Sequence, residues 1–168
     1  MISVDFIQMM VAYNEWQNTV IYATANDLTD SERRADKGAF FGSIHGTLNH
    51  LIWGDTIWLS RFAKPPPPRS PDIPGSINER ADWADMLAER SQLDQRICGW
   101  AASIDPAVLS GDLTWFSGAA NREITKPLWI LITHFHNHQT HHRGQVHAML
   151  TACGAKPGDT DLMLLPDG

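Results

Sequence analysis

The chain has 168 residues, of which 43% are hydrophobic, and this is enough for one domain with a buried core. Its 13 Lys and Arg against 19 Asp and Glu give a net charge of −6. No run of five or six basic residues occurs, which argues against a nucleic-acid-binding protein. The N-terminus "MISVDFIQMM" lacks a cationic leader, and no apolar run approaches the roughly 18 residues of a membrane span. We therefore expect a single soluble, cytoplasmic domain over residues 1–168.

Helical periodicity predicts two long helices in the first part of the chain. In the first, from about Ser3 to Leu28, apolar residues recur at three- and four-residue steps. The second is predicted to begin at an N-cap, Ser43, and to end at about Ala63. Four consecutive prolines at 65–68 cannot continue a helix, so they predict an extended crossover connection within the domain.

Two further helices are predicted after this connection. The third runs from about Ile77 to Ile104 and is followed by turn residues and short β-favouring runs. The fourth has Pro127 in its first turn and continues to about Cys153, with Gly154 as a C-terminal cap. The predicted fold is all-α: a four-helix bundle with one long crossover connection, and with a small hairpin or an ordered loop between helices three and four.

Six of the eight histidines fall in the segment "HFHNHQTHHRGQVH", residues 134–147. At about 100° per residue, His138 lies about 40° and His142 about 80° from His134 around the helix axis. The same step places His141 at about −20°, and two others near 200° and 220°. The pattern predicts an inward set (His134, His138, His141 and His142) and an outward pair (His136 and His147).

The spacing of His138 and His142 suggests a metal site. Residues at i and i+4 share a helix face, as the two histidines of HExxH zinc helices do. On the second helix, His50 could supply a third imidazole, or it could be a core histidine that a neighbouring carbonyl satisfies. Three imidazoles with an open position are the ligand set of a catalytic zinc or related divalent site. The alternative is a polar feature of the core.

Several neighbouring residues have two interpretations. His134 could orient a ligand or fill a polar pocket, while His141 is expected at the exposed helix edge. Gln145 could touch the site. Arg143 and Gly144 could have a functional role; alternatively, Gly144 could simply allow close helix approach, and Arg143 could pair with an acid.

The remaining residues of interest are aromatic, acidic or thiol side chains. Trp53 and Trp58 could line a pocket, although ordinary core packing is the favoured interpretation. Asp55, about 140° from His50 around the helix axis, is expected at the surface or in a cap and not as a ligand. Cys98 and Cys153 are expected to be small buried side chains without a disulfide.

The segments "GSIHGTLNHLIWGDTIWL" and "HNHQTHHRGQVHAML" resemble the DinB superfamily of bacterial metal-binding bundles, as do "GAKPGDTDLMLL" and the early "YNEWQN". This resemblance implies an up-up-down-down four-helix bundle that is often a homodimer. It also implies a metal held by one histidine of the second helix and two of the fourth. These correspond to His50 in "LNH" and to His138 and His142 in "NHQTHH".

The resemblance also implies a range of activities. Members of the superfamily include thiol S-transferases that use low-molecular-weight thiols, and a thiol-dependent isomerase. The leading hypothesis is a metal-dependent thiol S-transferase whose partners are a small-molecule thiol and an electrophilic substrate. A metal-dependent hydrolase and a non-catalytic metal-binding stress-response bundle are the alternatives. Zinc or nickel is the expected ion, with iron or copper as further options.

Overall fold

The computed structural model describes residues 2–118 and 120–166, and most of the chain is helical. Four long helices, one short helix and a two-stranded antiparallel sheet make up the regular structure. The helices are α1 (Val4–Asn26), α2 (Asp30–Arg34), α3 (Ile44–Ala63), α4 (Trp83–Ser103) and α5 (Leu128–Ala152). The strands are β1 (Asp112–Ser117) and β2 (Arg122–Pro127). Short 3₁₀ turns occupy Pro74–Asn78, Pro106–Ser110 and Leu162–Leu164.

Side-chain caps begin three of the long helices. The hydroxyls of Ser3 and Ser43 accept hydrogen bonds from the backbone amides of Phe6 and Gly46, and Asp82 caps α4 in the same way. Lys64 adopts a left-handed conformation, with φ of 63°, and ends α3 directly before the prolines. The predicted cap at Ser43 and the predicted end at Ala63 are both confirmed.

The start of the third long helix was predicted too early. Residues 74–78 form a 3₁₀ turn, and α4 begins only at Trp83. The intervening backbone is tied to α3, because the Arg80 amide donates to Asn49 Oδ1 at 2.6 Å. Pro127 ends β2 and stands at the N-cap position of α5 instead of in its first turn.

The four long helices pack against one another around a shared core. Helix α1 contacts α4 and α5, and α3 contacts α5 and α4. The hairpin predicted between the last two long helices is confirmed, with Thr114 opposite Thr125. The structure is thus helical with a small two-stranded sheet, and the up-up-down-down order stays a prediction. No helix in the described part of the chain is long and apolar enough to cross a membrane.

Helix α3 is buried on nearly all sides, which corrects the prediction for Asp55. Asp55 is 1% exposed, and neither a surface nor a capping position describes it. Its carboxylate accepts a hydrogen bond from Arg90 at 2.7 Å and from Gln139 Nε2 at 3.0 Å. Arg90 also pairs with Asp94 at 2.8 Å, so the guanidinium joins two buried carboxylates in the core.

The outward direction predicted for His136 is also wrong. Its side chain is 3% exposed because α1 covers that side of α5, where the ring of Phe6 meets the imidazole edge to face. His136 Nδ1 lies 3.3 Å from Gln139 Oε1. His147 is half-buried, and its Nε2 lies 3.1 Å from the carbonyl of Gly158.

Candidate metal centre

Helices α3 and α5 bring His50, His138 and His142 together. One ring nitrogen from each lies within 4.8 Å of the others. The Nε2 atoms of His50 and His138 are 3.1 Å apart, although 88 residues separate them in the chain. Nitrogens that bind a tetrahedral ion at about 2.0–2.1 Å lie about 3.3 Å apart, so the His50–His138 pair already has this spacing, and a ring nitrogen of His142 lies within 4.8 Å of both.

Hydrogen bonds fix the tautomers of two of these histidines. The Ser76 hydroxyl donates its one proton to the Ile73 carbonyl at 2.6 Å, so it must accept from Nδ1–H of His50, 2.8 Å away. Similarly, Nδ1 of His142 lies 2.8 Å from Gln145 Oε1, which can only accept. Each ring therefore keeps its lone pair on Nε2, the nitrogen that is free to bind an ion.

Burial keeps the imidazoles neutral. Loss of solvent, together with the nearby His142, lowers the pKa of His50 to about 3. Burial and the neighbouring histidines lower the pKa of His138 to about 3 as well, and burial lowers the pKa of His142. A metal ion binds neutral imidazole, so the three rings are in the binding form at neutral pH without first losing a proton.

His138 is held in place by packing. A Cβ at residue 54 would stand only 2.6 Å from His138 Cε1, so glycine at this position lets the ring lie directly on α3. The Nδ1 atom of His138 is buried, and no residue of 2–118 or 120–166 hydrogen-bonds to it. The orientation of this ring therefore depends on the surface beneath it.

Two aromatic rings stack on His50. The Phe41 ring lies 3.8 Å from the imidazole, centroid to centroid, and the Trp53 ring 5.6 Å away, both at an interplanar angle of 24°. Trp53 is itself fixed, because its Nε1 donates to the Ser70 carbonyl at 2.8 Å. These contacts leave the His50 ring little freedom to rotate.

The sequence reasoning missed Phe41 and Ser76. Both belong to connections, Phe41 to the turn before α3 and Ser76 to the 3₁₀ turn after the prolines, where no helical period marks a facing residue. Ser76 is fully buried, which a serine in a proline-rich connection would not suggest. The "FFGS" turn before α3 was a weak signal, since two adjacent aromatic side chains next to a glycine indicate packing onto a neighbour.

The three histidines line a cavity of about 760 Å³. Trp53 and Trp58 both contribute to its wall, which supports the pocket interpretation. His134, His141 and Gln145 also line it, and His141 is exposed as expected. The His134 ring meets that of Trp58 at 5.2 Å. Such a volume is typical of small-molecule sites.

The predictions for Arg143 and Gly144 are wrong. Arg143 is buried and donates to the side-chain oxygen of Asn14, with its guanidinium 5.6 Å from the Tyr13 ring. Within residues 2–118 and 120–166 it forms no ion pair with an acid. A Cβ at residue 144 would meet nothing within 4 Å, so Gly144 does not provide a close helix contact, whereas Gly54 does.

The fold and the cluster together define a class: a helical protein with three neutral imidazoles converging at the wall of a cavity. This donor set suits a divalent ion, because the three nitrogens are close, unprotonated and, for two of them, oriented by a hydrogen bond on the other ring nitrogen. The chain belongs to the DinB family, whose model matches residues 3–168.

Comparison with curated proteins identifies one relative with low sequence identity. The chain is 25% identical over 172 residues to Protein DinB of Bacillus subtilis (strain 168). The alignment covers 94% of this chain and 91% of that protein. No solved structure matches the chain significantly.

Proposed function

We propose that the protein binds one divalent metal ion through His50, His138 and His142 and is a metal-dependent thiol S-transferase. The observation that carries this proposal is the convergence of three neutral imidazoles at the wall of a cavity large enough for a small molecule. Zinc and nickel are the ions that suit this donor set best, with iron or copper as alternatives. A divalent ion held there would lower the pKa of a bound thiol and so supply a thiolate at neutral pH.

The proposed reaction joins a low-molecular-weight thiol to a small electrophile. The S–H bond of the thiol breaks, and its sulfur forms a bond to an electrophilic carbon. The leaving group departs with the electrons of the broken carbon bond and takes up the proton. The residues of this chain orient the imidazoles, through Ser76 and Gln145, and Trp53 and Trp58 supply an aromatic wall for the reactants.

Metal content tests the first half of this proposal. We expect about one divalent ion per chain in tag-free wild-type protein by elemental analysis. In His50→Ala, His138→Ala and His142→Ala the content should fall to a tenth or less. His147→Ala is the matched control, because His147 is on the same helix but hydrogen-bonds to Gly158 away from the cluster. A wild type that cannot be loaded with metal would refute the site and the enzyme with it.

Turnover tests the second half and separates the alternatives. Metal-loaded protein is incubated with a small alkylating electrophile, with and without an added thiol. A transferase consumes thiol and electrophile in equal amounts, whereas a hydrolase consumes the electrophile without thiol. A non-catalytic bundle consumes neither and loses much of its thermal stability on chelation. The homodimer that the family resemblance suggests is also proposed here, and sedimentation velocity measures it directly.

A further inference from the structure

One stripe of helix α3 runs along the cavity from the metal centre to its far end. His50, Gly54, Trp58 and Arg61 follow one another at steps of four, four and three residues, and all of them line the cavity. Residues at these steps share a helix face. The stripe begins with a neutral imidazole and ends with a guanidinium, so the two ends of the cavity differ in charge.

The guanidinium of Arg61 is held in place by aromatic rings. Its Cζ lies 4.6 Å from the centroid of the Trp58 ring and 5.6 Å from that of Trp115, which strand β1 supplies. Cation–π contacts orient a guanidinium but leave its N–H donors unused. The side chain is half-buried, so these donors are partly removed from solvent.

No acid within residues 2–118 and 120–166 pairs with Arg61. The carboxylate of Asp72 also lines the cavity, but its Oδ1 accepts from the Gly75 amide on the proline-rich side. Burial lowers the pKa of Arg61, which indicates that its charge is incompletely solvated. A half-buried cation with free donors at a cavity wall is suited to bind an anion.

We propose that Arg61 binds the carboxylate of an elongated ligand whose apolar body lies along Trp58 and Ile57 and whose other end reaches the three histidines. Eleven residues of α-helix separate the backbones of His50 and Arg61 by roughly 16 Å. Helical side chains tilt towards the N-terminus, so the guanidinium lies over Trp58 and the ligand spans roughly 10 Å. As a statement about a substrate this inference rests on the proposed function; as a statement about binding it is independent of the metal.

A purely structural role for Arg61 makes a different prediction. Arg61 is in the last turn of α3, where a cation interacts favourably with the helix dipole, and its stem covers Trp58. In that case replacing it would lower the stability of the fold without changing the preference of the cavity for charged ligands. The distinguishing quantity is therefore the ratio of affinities for two ligands of the same shape.

The experiment uses 4-phenylbutyrate and its neutral amide, 4-phenylbutyramide, in isothermal titration of the full chain. Chelator-treated protein is used, so that the carboxylate cannot be attracted by a metal ion. We expect wild type to prefer the carboxylate by about tenfold, which is the typical effect of a charge-assisted hydrogen bond. Arg61→Met, which keeps the apolar stem, should remove the preference. Arg61→Lys should retain part of it, and thermal unfolding checks that both variants fold.

The outcomes separate this proposal from the proposed function. A preference that disappears in Arg61→Met supports the carboxylate site even if the protein proves to have no transferase activity. Equal binding of the two probes by wild type, no binding of either, or a preference that survives in Arg61→Met would overturn it. A second comparison, 6-mercaptohexanoate against 6-mercaptohexan-1-ol in metal-loaded protein, shows whether the thiol or the electrophile carries the carboxylate. An Arg61-dependent preference in this comparison assigns it to the thiol, and its absence assigns it to the electrophile.

Discussion

Gly54 lies directly beneath the imidazole of His138, so closely that a Cβ at residue 54 would stand 2.6 Å from Cε1. The two residues belong to different helices, and their contact is where α3 and α5 meet next to the cluster. A methyl group there must displace either the ring or one of the helices. The glycine thus sets the position of one proposed ligand from the opposite helix.

We predict that Gly54→Ala weakens metal binding at least tenfold, since small displacements of a ligand or its support have effects of this size. Competition with a chromogenic chelator measures the affinity. Gly144→Ala is the control, because a Cβ there meets nothing within 4 Å and alanine favours a helix by up to about 1 kcal/mol. It should bind metal normally and be slightly more stable. Wild-type affinity in Gly54→Ala would contradict the role of this contact.

Ser76 should matter for metal affinity although it is not a proposed ligand. Ser76→Ala removes the acceptor for Nδ1–H of His50, so the ring loses its fixed tautomer and orientation. We expect the affinity to fall 10- to 100-fold. The matched control is Ser60→Ala, which loses an equivalent serine-to-carbonyl hydrogen bond, to Ile57 at 2.9 Å, within α3. If the two variants bind the metal ion with equal affinity, the hydrogen bond from His50 to Ser76 does not orient the imidazole.

The buried guanidinium of Arg90 should be essential for stability. Arg90→Met leaves the carboxylates of Asp55 and Asp94 buried without their cation, and breaking such a pair costs about 3–5 kcal/mol. Arg34→Met, which breaks an exposed pair with Asp30, should cost less than about 1 kcal/mol. Urea unfolding at pH 7 measures both. An equal effect of the two substitutions would refute the role of burial.

The pH dependence of the Arg90→Met variant provides a second test. Burial raises the pKa of Asp94 even beside Arg90, and loss of the cation should raise it further. A carboxyl with a raised pKa binds protons more tightly in the folded than in the unfolded state. Its contribution to stability is therefore greatest at low pH and is lost as the pH rises through the folded pKa. The deficit of the variant should shrink as the pH is lowered from 7 towards 5.

Cys98 should react slowly with thiol reagents. Burial is the main cause that raises the pKa of this thiol to about 12. The carboxylate of Glu15, 3.5 Å from Sγ, is the next largest cause. At pH 8 only about one molecule in ten thousand would carry the reactive thiolate. In a Cys153→Ser background we expect iodoacetamide to label Cys98 much more slowly in the folded protein than in the urea-unfolded protein. The labelling rate of the folded protein should continue to rise with pH beyond 10. Glu15→Gln should speed it. Labelling as fast as in urea would contradict the raised pKa.

Helical periodicity predicted most of the fold because it reports which residues of one helix share a face. The bounds of α1, α3 and α5 agree with the prediction to within about two residues at each end. The start of α4 was predicted too early because residues 77–78 belong to a 3₁₀ turn and the backbone amide of Arg80 bonds to Asn49 of α3 instead of within a helix. A pattern within one segment contains no information on such a tertiary contact.

The errors at Asp55 and His136 have one physical cause. Helical angles gave each residue a direction relative to His50 or His134, but not which directions other elements cover. Both α3 and α5 are packed on more than one side, so a direction away from the cluster leads into the core. The proximity of His138 and His142 was predictable from their spacing, whereas the partner role of Gly54 depends on how two helices cross.

The proline-rich connection limits how far its length can vary among members of the family. Connections usually tolerate insertions and replacement by unrelated segments better than helices do. Here Ser76, in the segment after the prolines, hydrogen-bonds to His50, and the carbonyl of Ser70 accepts a hydrogen bond from Trp53. The carboxylate of Glu79 accepts hydrogen bonds from the backbone amides of Arg69 and Ser70, which joins the two ends of this segment. A change of length among residues 69–79 would misplace both supports at once. The part of the chain that looks most like a spacer is thus one where relatives with the same chemistry should keep the same number of residues.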